Sequence, residues 1–298
     1  MPRNKHQVDD QSISFRGDEI VAKRRERRKP KLKRTRKDLL AQPVATTDPA
    51  QRVGAEDEFS DGDMRFLQDR GYFDTLIGEL KGGKEATVFL VGRGEERFAA
   101  KVYADIEARS FRDDRVYWQG FHVGDARMVK AMAQRSKAGL KAQQHIWVTR
   151  EYHYLWLLHE AGIKVPKPAI GPEPYYYSQA GAVVLMEFVG EGDTPAPRLS
   201  DVRLSPEEGR LALDQAVTIL RRLCRLGLVH GDFSTYNLLW HQGEVWLIDV
   251  PQMVQVGEAR GSRALLERDV NSLLTTFRRH GAHLDQRELL RSLNADLE

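Results

Sequence analysis

The sequence predicts an α+β chain folded in two lobes, on three observations. Short runs of apolar alternation crowd the first half of the chain beyond residue 65, helical periodicity dominates the second half, and a single apolar strand followed by glycine lies between them. Runs 75–80, 86–91 and 97–102 are separated by the turns KGGKE and GRGEE, which reads as an antiparallel meander. The charge-rich segment 103–145 follows, with helical spacing over 125–137 through Met128, Val129 and Met132. A connection of that length in a compact domain is functional or mobile. A helix over 147–160 repeats Trp147, Tyr154, Leu155 and Leu158 at helical intervals; Gly162 stops it, and Val165-Pro-Lys-Pro168 makes an extended exit. Residues 182–188 (AVVLMEF) form a buried strand before Gly190. Ser205 as N-cap, Pro206 at the first position and Glu207 and Glu208 in the first turn start a helix that runs to about 226. Short strands over 238–240 and 245–248 flank a turn, and helices over 263–279 and 286–297 close the chain.

Bulk composition bounds the function classes. The chain has 298 residues, of which 41% are hydrophobic and 30% charged, with mean hydropathy −0.53. No run reaches the ~20 apolar residues of a membrane span, and the N-terminus has no apolar core of a secretory signal. Cys224 is the only cysteine, which excludes an internal disulfide and fits a reducing, cytoplasmic setting. Residues 1–65 lack periodicity and read as an arm, leaving a domain over 66–298 with an N-lobe to about 187 and a C-lobe from about 190. Within the arm, residues 23–37 carry eleven Lys or Arg against one Glu, a local +10 in a chain of net +3, so the remainder is −7. Such a run is either an electrostatic handle for RNA, a ribosomal particle or another polyanion, or a solubilising tail; no aromatic residue inside it offers a base-stacking platform.

The strongest chemical signal is LVHGDFSTYNLLW (228–240) followed by VWLIDVPQMV (245–254). An Asp lies two residues after a His, an Asn five residues after that Asp, and a second Asp twelve residues later behind apolar strand residues. Phosphoryl transfer needs those groups in that relation: one Asp to orient the attacking oxygen and accept its proton, and an amide oxygen and a carboxylate to hold Mg²⁺ against a triphosphate. Asp232 is therefore the candidate catalytic aspartate, with Asn237 and Asp249 as metal ligands and His230 as a brace. Any one of these alone would be an ordinary turn residue; the spacing of all three carries the signal. Upstream, Lys101 in Ala99-Ala-Lys-Val102 is the candidate phosphate lysine and Glu151, on the 147–160 helix, its fixing partner. The glycines of Gly78-Glu-Leu-Lys-Gly-Gly-Lys84-Glu85 let backbone N–H groups approach phosphate, with Gly83 and Lys84 as candidates. Met186, Glu187 and Val189 fall at the passage between lobes, where backbone groups of Glu187 and Val189 can meet an adenine edge.

On these residues the chain resembles the RIO family of atypical protein kinases over about 76–280. His230-Gly-Asp-Phe-Ser-Thr-Tyr-Asn237 fits the family's catalytic loop and Ile248-Asp-Val-Pro-Gln252 its metal loop. Gly83-Lys-Glu-Ala86 fits its phosphate loop and Met186-Glu-Phe-Val-Gly190 its hinge, while Leu266-Glu-Arg-Asp-Val270 with Phe277-Arg-Arg279 resembles its closing helix. Gly231, Phe233 and Lys81-Gly82-Gly83 depart from the commonest forms and look like a bacterial branch. The resemblance implies a two-lobed protein-kinase-like fold, ATP with Mg²⁺ or Mn²⁺, and Ser/Thr autophosphorylation or ATPase cycling. It further implies that Asp249 is a transient phospho-acceptor and that there is no ordinary activation loop; only 49 residues follow Asp249. In eukaryotes and archaea the family serves small-subunit ribosome maturation.

Two other readings compete. Small-molecule phosphotransferases of the aminoglycoside and choline kinase kind share the His-Gly-Asp pattern, but Ser234, Tyr236, Val250-Pro-Gln252 and the short C-terminal region speak against them. The other is non-enzymatic, a nucleotide-gated binding protein whose basic arm docks on RNA or a ribosomal particle; Lys101, Asp232, Asn237 and Asp249 together argue against a dead pseudokinase.

Overall fold

A computed structural model describes residues 61–83, 85–104, 126–134, 136–257 and 261–297. The basic run 23–37, the phosphate-loop candidate Lys84 and the segment 105–125 lie outside the described residues. The described fold opens with a helix, α1 (Gly62–Asp69), capped by Asp61, which accepts from the N–H of Asp63 at 3.0 Å and of Met64 at 3.2 Å. This helix starts inside the stretch 1–65 that reads as aperiodic. Two turns are too short for a period to register, but Met64 and Leu67 are buried in the core, so the boundary of the folded part lies before residue 66.

The expected meander forms as β1 (Thr75–Gly82), β2 (Ala86–Arg93) and β3 (Glu96–Tyr103). Next come α2 (Ala126–Ala133) and α3 (Lys137–Glu160). Helix α3 begins ten residues before the predicted start, under a cap in which Ser136 Oγ accepts from Gly139 N–H at 3.1 Å. The difference has a physical cause: its first turns are polar, and residues 146–152 are all buried, so no clean stripe marks it. A Cβ on Gly139 would sit 2.1 Å from the Ala131 carbonyl, which is why α2 crosses α3 at a glycine. A single turn, α4 (Pro174–Tyr177), was not legible in the sequence; its Tyr177 stacks on Tyr152 of α3 with ring centroids 5.3 Å apart. Strand β4 (Val183–Glu187) then joins β3 antiparallel, and the sheet order is β1-β2-β3-β4.

A two-residue hairpin, β5 (Gly190–Glu191) and β6 (Thr194–Pro195), leads to the helical half. There α5 (Pro206–Arg225) begins with a full capping box: Ser205 Oγ accepts from Glu208 N–H at 3.2 Å, and Glu208 Oε2 accepts from Ser205 N–H at 2.9 Å. Strand β7 (Leu228–Val229) follows, then the hairpin β8 (Leu238–His241) and β9 (Glu244–Leu247), turned at Gln242 and Gly243 with φ of 49° and 78°. Strand β10 (Val254–Gln255) returns to pair with β7, so this small clasp closes the loop that carries all three candidate acid and amide residues. Helices α6 (Ser262–Phe277) and α7 (Gln286–Asp296) complete the lobe. The architecture is the α+β, two-lobed arrangement that the sequence predicts.

Candidate active site

Alternation along β3 sends Ala99, Lys101 and Tyr103 to the cleft between the lobes, while Ala100 and Val102 are buried on the opposite face. On α3, Trp147, Glu151 and Leu155 recur at intervals of four and face the same cleft. The two elements meet at a charge pair. Lys101 Nζ lies 2.7 Å from Glu151 Oε1 and 2.8 Å from Asp249 Oδ1. Tyr103 OH donates to the other Glu151 oxygen. Burial alone would discharge the ammonium, but the carboxylates of Asp249 and Glu151 outweigh it and hold the Lys101 pKa well above the ordinary lysine value.

The loop after β7 is set by a residue that sequence reasoning quoted without a role. Asp269 of α6 accepts from Gly231 N–H at 2.7 Å and from Phe233 N–H at 3.0 Å, pinning the backbone on either side of Asp232. Gly231 holds φ at 82°, a left-handed turn that suits glycine, and Arg268 donates to its carbonyl. Burial pushes the Asp269 carboxyl up to about 6. Asp269 was detectable as a carboxylate inside the apolar run Leu265, Leu266, Val270 and Leu273. Asn237 Nδ2 donates to Asp232 Oδ2 and to the Asp232 carbonyl, both at 2.9 Å. Burial raises the Asp232 carboxyl, and the neighbouring Asp249 charge adds to the shift.

His230 is fully buried, and both Asp232 N–H and Gln252 Nε2 approach its Nδ1 at 3.3 Å. Burial lowers the imidazole to about 4 and so keeps the ring neutral. A ring kept neutral in this way braces the loop rather than exchanging protons. Asp249 takes φ of 64°, and Gln252 Nε2 donates to its carbonyl at 2.6 Å. Ile248 N–H donates to the Asn237 carbonyl at 3.0 Å, tying the two loops together.

These groups open on one cleft of about 1020 Å³. Lys101, Glu151, Gly83, Met186, Glu187, Val189, Asp232 and Asp249 all line it, and Asn237 stands behind Asp232. A Cβ on Gly83 would lie 2.8 Å from the Ala86 carbonyl, so that turn has room only for glycine. Glu187 N–H donates to Lys167 O at 2.7 Å, which leaves the carbonyl as the backbone group of that residue able to meet a base. The oxygens of Asp249 and of the Asn237 carboxamide are the kind of donor a hard divalent cation takes, and Asp232 stands beside them with its carboxyl raised in part by the Asp249 charge. Among the described residues no cluster of three or more His, Cys, Asp or Glu is placed to hold a metal ion by itself.

A RIO-domain family model matches residues 87–289. The chain is 35% identical over 233 residues to the RIO-type serine/threonine-protein kinase Rio1 of Haloferax volcanii, covering 78% of this chain and 73% of that one. It is 30% identical over 198 residues to the Rio1 kinase of Thermoplasma acidophilum, covering 66% of this chain and 94% of the relative. Against the serine/threonine-protein kinase RIO3 of Homo sapiens it is 29% identical over 246 residues, covering 78% of this chain but 44% of the human protein. The likeness therefore takes in nearly all of a short archaeal relative and less than half of a longer human one. On the two-lobed fold, the charge pair under the sheet and these matches together, the chain belongs to the RIO family of serine/threonine-protein kinases.

Proposed function

We propose that the cleft binds ATP with Mg²⁺ and transfers the γ-phosphoryl group to a Ser or Thr hydroxyl, the chain's own included, with Asp232 as the catalytic aspartate. The observation that carries this reading is the convergence of Asp232 and Asp249 on one cleft beneath the Lys101–Glu151 pair. The bound metal would neutralise charge on the phosphates. Asp249 and the Oδ1 of Asn237 would hold it, the amide nitrogen of Asn237 being spent on Asp232. Lys101 would turn from Asp249 to the α- and β-phosphates while Glu151 keeps hold of it. The Asp232 carboxylate, kept in place by Asn237, would orient the acceptor hydroxyl and take its proton; burial raises its affinity for that proton. Gly83 and Lys84 would approach the phosphates, and Met186, the Glu187 carbonyl and Val189 would flank the base. The buried free thiol of Cys224 suits a reducing, cytoplasmic setting.

The test is incubation with labelled ATP and Mg²⁺. The chain labels itself, and Asp232→Ala loses about 10²- to 10⁴-fold in transfer while nucleotide affinity stays within a few-fold. Undiminished labelling by Asp232→Ala would remove its assigned role. Labelling of an added small alcohol in place of protein would restore the small-molecule reading.

A further inference from the structure

Arg150 and Glu151 are neighbours on α3, both buried, at 5% and 1% exposure, yet their side chains go to different lobes. Glu151 takes Lys101 from the sheet. Arg150 donates through Nε to the Pro251 carbonyl at 2.9 Å and through Nη2 to the Met253 carbonyl. Its guanidinium also lies over the Tyr154 ring, 5.5 Å from the centroid. The two acceptors stand two and four residues beyond Asp249. With Gln252 Nε2 on the Asp249 carbonyl, alternate carbonyls 249, 251 and 253 each receive a side-chain N–H. They do so in the stretch that leaves Asp249 in the left-handed region, where a non-glycine residue persists only if its surroundings hold it.

We infer that Arg150 is a positioning residue for phosphoryl transfer: a strut that fixes the Glu151 helix to the backbone after Asp249, so that the lysine clamp and the metal-side carboxylate are set as one unit. The acceptors are main-chain oxygens, which neither titrate nor accept phosphate. The helix is therefore locked in its working place without prior modification of the segment after Asp249. A guanidinium suits this task because its rigid fork spans two carbonyls at once, whereas an ammonium satisfies one of them well. The inference rests on the roles proposed above for Glu151 and Asp249.

The test compares wild type, Arg150→Met and Arg150→Lys in transfer from ATP and, without turnover, in the Mg²⁺ dependence of ATP binding read by the fluorescence of Trp147 in the cleft. Methionine keeps much of the stem and loses the fork. Arg150→Met is expected to lose about 10- to 100-fold in kcat, the scale of a misplacement near 1 Å. Its half-saturating Mg²⁺ concentration should rise several-fold, while its KM for ATP stays within about threefold, and Arg150→Lys should recover part of both losses. A wild-type kcat and Mg²⁺ curve in Arg150→Met overturns the inference. So does a fall in kcat with an unshifted Mg²⁺ curve that lysine does not relieve, since a merely structural role produces that pattern. Should Arg150→Met fail to fold, Arg150→Lys decides alone: a shifted Mg²⁺ curve supports the strut and an unshifted one refutes it. Absence of Mg²⁺- and ATP-dependent transfer in the wild type would instead sink the underlying assignment.

Discussion

Replacing Lys101 by methionine separates the electrostatics of the site from its chemistry. The side chain of Glu151 is 1% exposed and that of Lys101 12%, whereas Asp249 is 43% exposed. Losing the ammonium therefore costs Asp249 little, since a solvated ion pair is worth about 0–1 kcal/mol. Glu151 is left as a buried charge without its partner, a change that typically costs about 3–5 kcal/mol. For a domain of this size that corresponds to a fall in Tm on the order of 10 °C. Burial already raises the Glu151 carboxyl, with the lysine charge opposing the shift, so removing the lysine raises it further. The sign follows from linkage. A carboxyl whose folded pKa lies above its unfolded value, about 4.3, contributes stability below the unfolded pKa and loses it as pH rises through the folded one. The deficit of Lys101→Met should therefore be smaller at pH 5.5 than at pH 8, by up to about 1.4 kcal/mol per pH unit crossed. The double variant Lys101→Met/Glu151→Gln keeps an acceptor for Tyr103 and removes the buried charge; it should regain most of the stability and none of the phosphoryl transfer. Urea unfolding at the two pH values, followed by tryptophan fluorescence, makes the measurement. A Lys101→Met midpoint equal to wild type at pH 8, or a further loss on adding Glu151→Gln, would refute the reasoning.

Other outcomes follow from the same geometry. Asp269→Ala orphans two buried N–H groups at about 1–3 kcal/mol each, so kcat should collapse along with stability. In Asp269→Asn the titration near 6 disappears, and the stability of wild type relative to this variant should decline by about 2 kcal/mol as pH rises from 4 through 6, as urea midpoints across that range will show. Gly83→Val must move the Ala86 carbonyl and should raise the KM for ATP several-fold, with a smaller change in kcat; an unchanged KM would place the phosphates elsewhere. Deleting residues 1–40 removes the basic run and should weaken binding to RNA while flattening its salt dependence, by a slope of roughly 0.7 for each single-strand phosphate no longer neutralised. An unaltered slope on deletion leaves the arm as a solubilising tail.

Legibility from the sequence followed the range of the interaction. The helix start at Ser205 is local chemistry and reappears as a complete capping box. The alternation 97–102 put Lys101 on one face of a strand, and the cleft lies on that face. The start of α3 was misplaced because that helix is buried on several sides and its periodicity is blurred. The clasp of β7 with β10 has two residues per strand and leaves no periodic trace.

The sequence by itself determined the two-lobed class, the family and the candidates Lys101, Glu151, Asp232, Asn237 and Asp249, because secondary-structure period and motif spacing are written in neighbouring positions. The tertiary structure alone decided which of them meet and added Asp269 and Arg150 to them. Lys101 and Asp249 are 148 positions apart and share a hydrogen bond of 2.8 Å. Asp269 holds the backbone around Asp232 from α6, and Arg150 reaches the backbone after Asp249 from the helix that carries Glu151. Such pairings depend on how whole elements pack, since a buried charge is tolerable only where the fold delivers its partner.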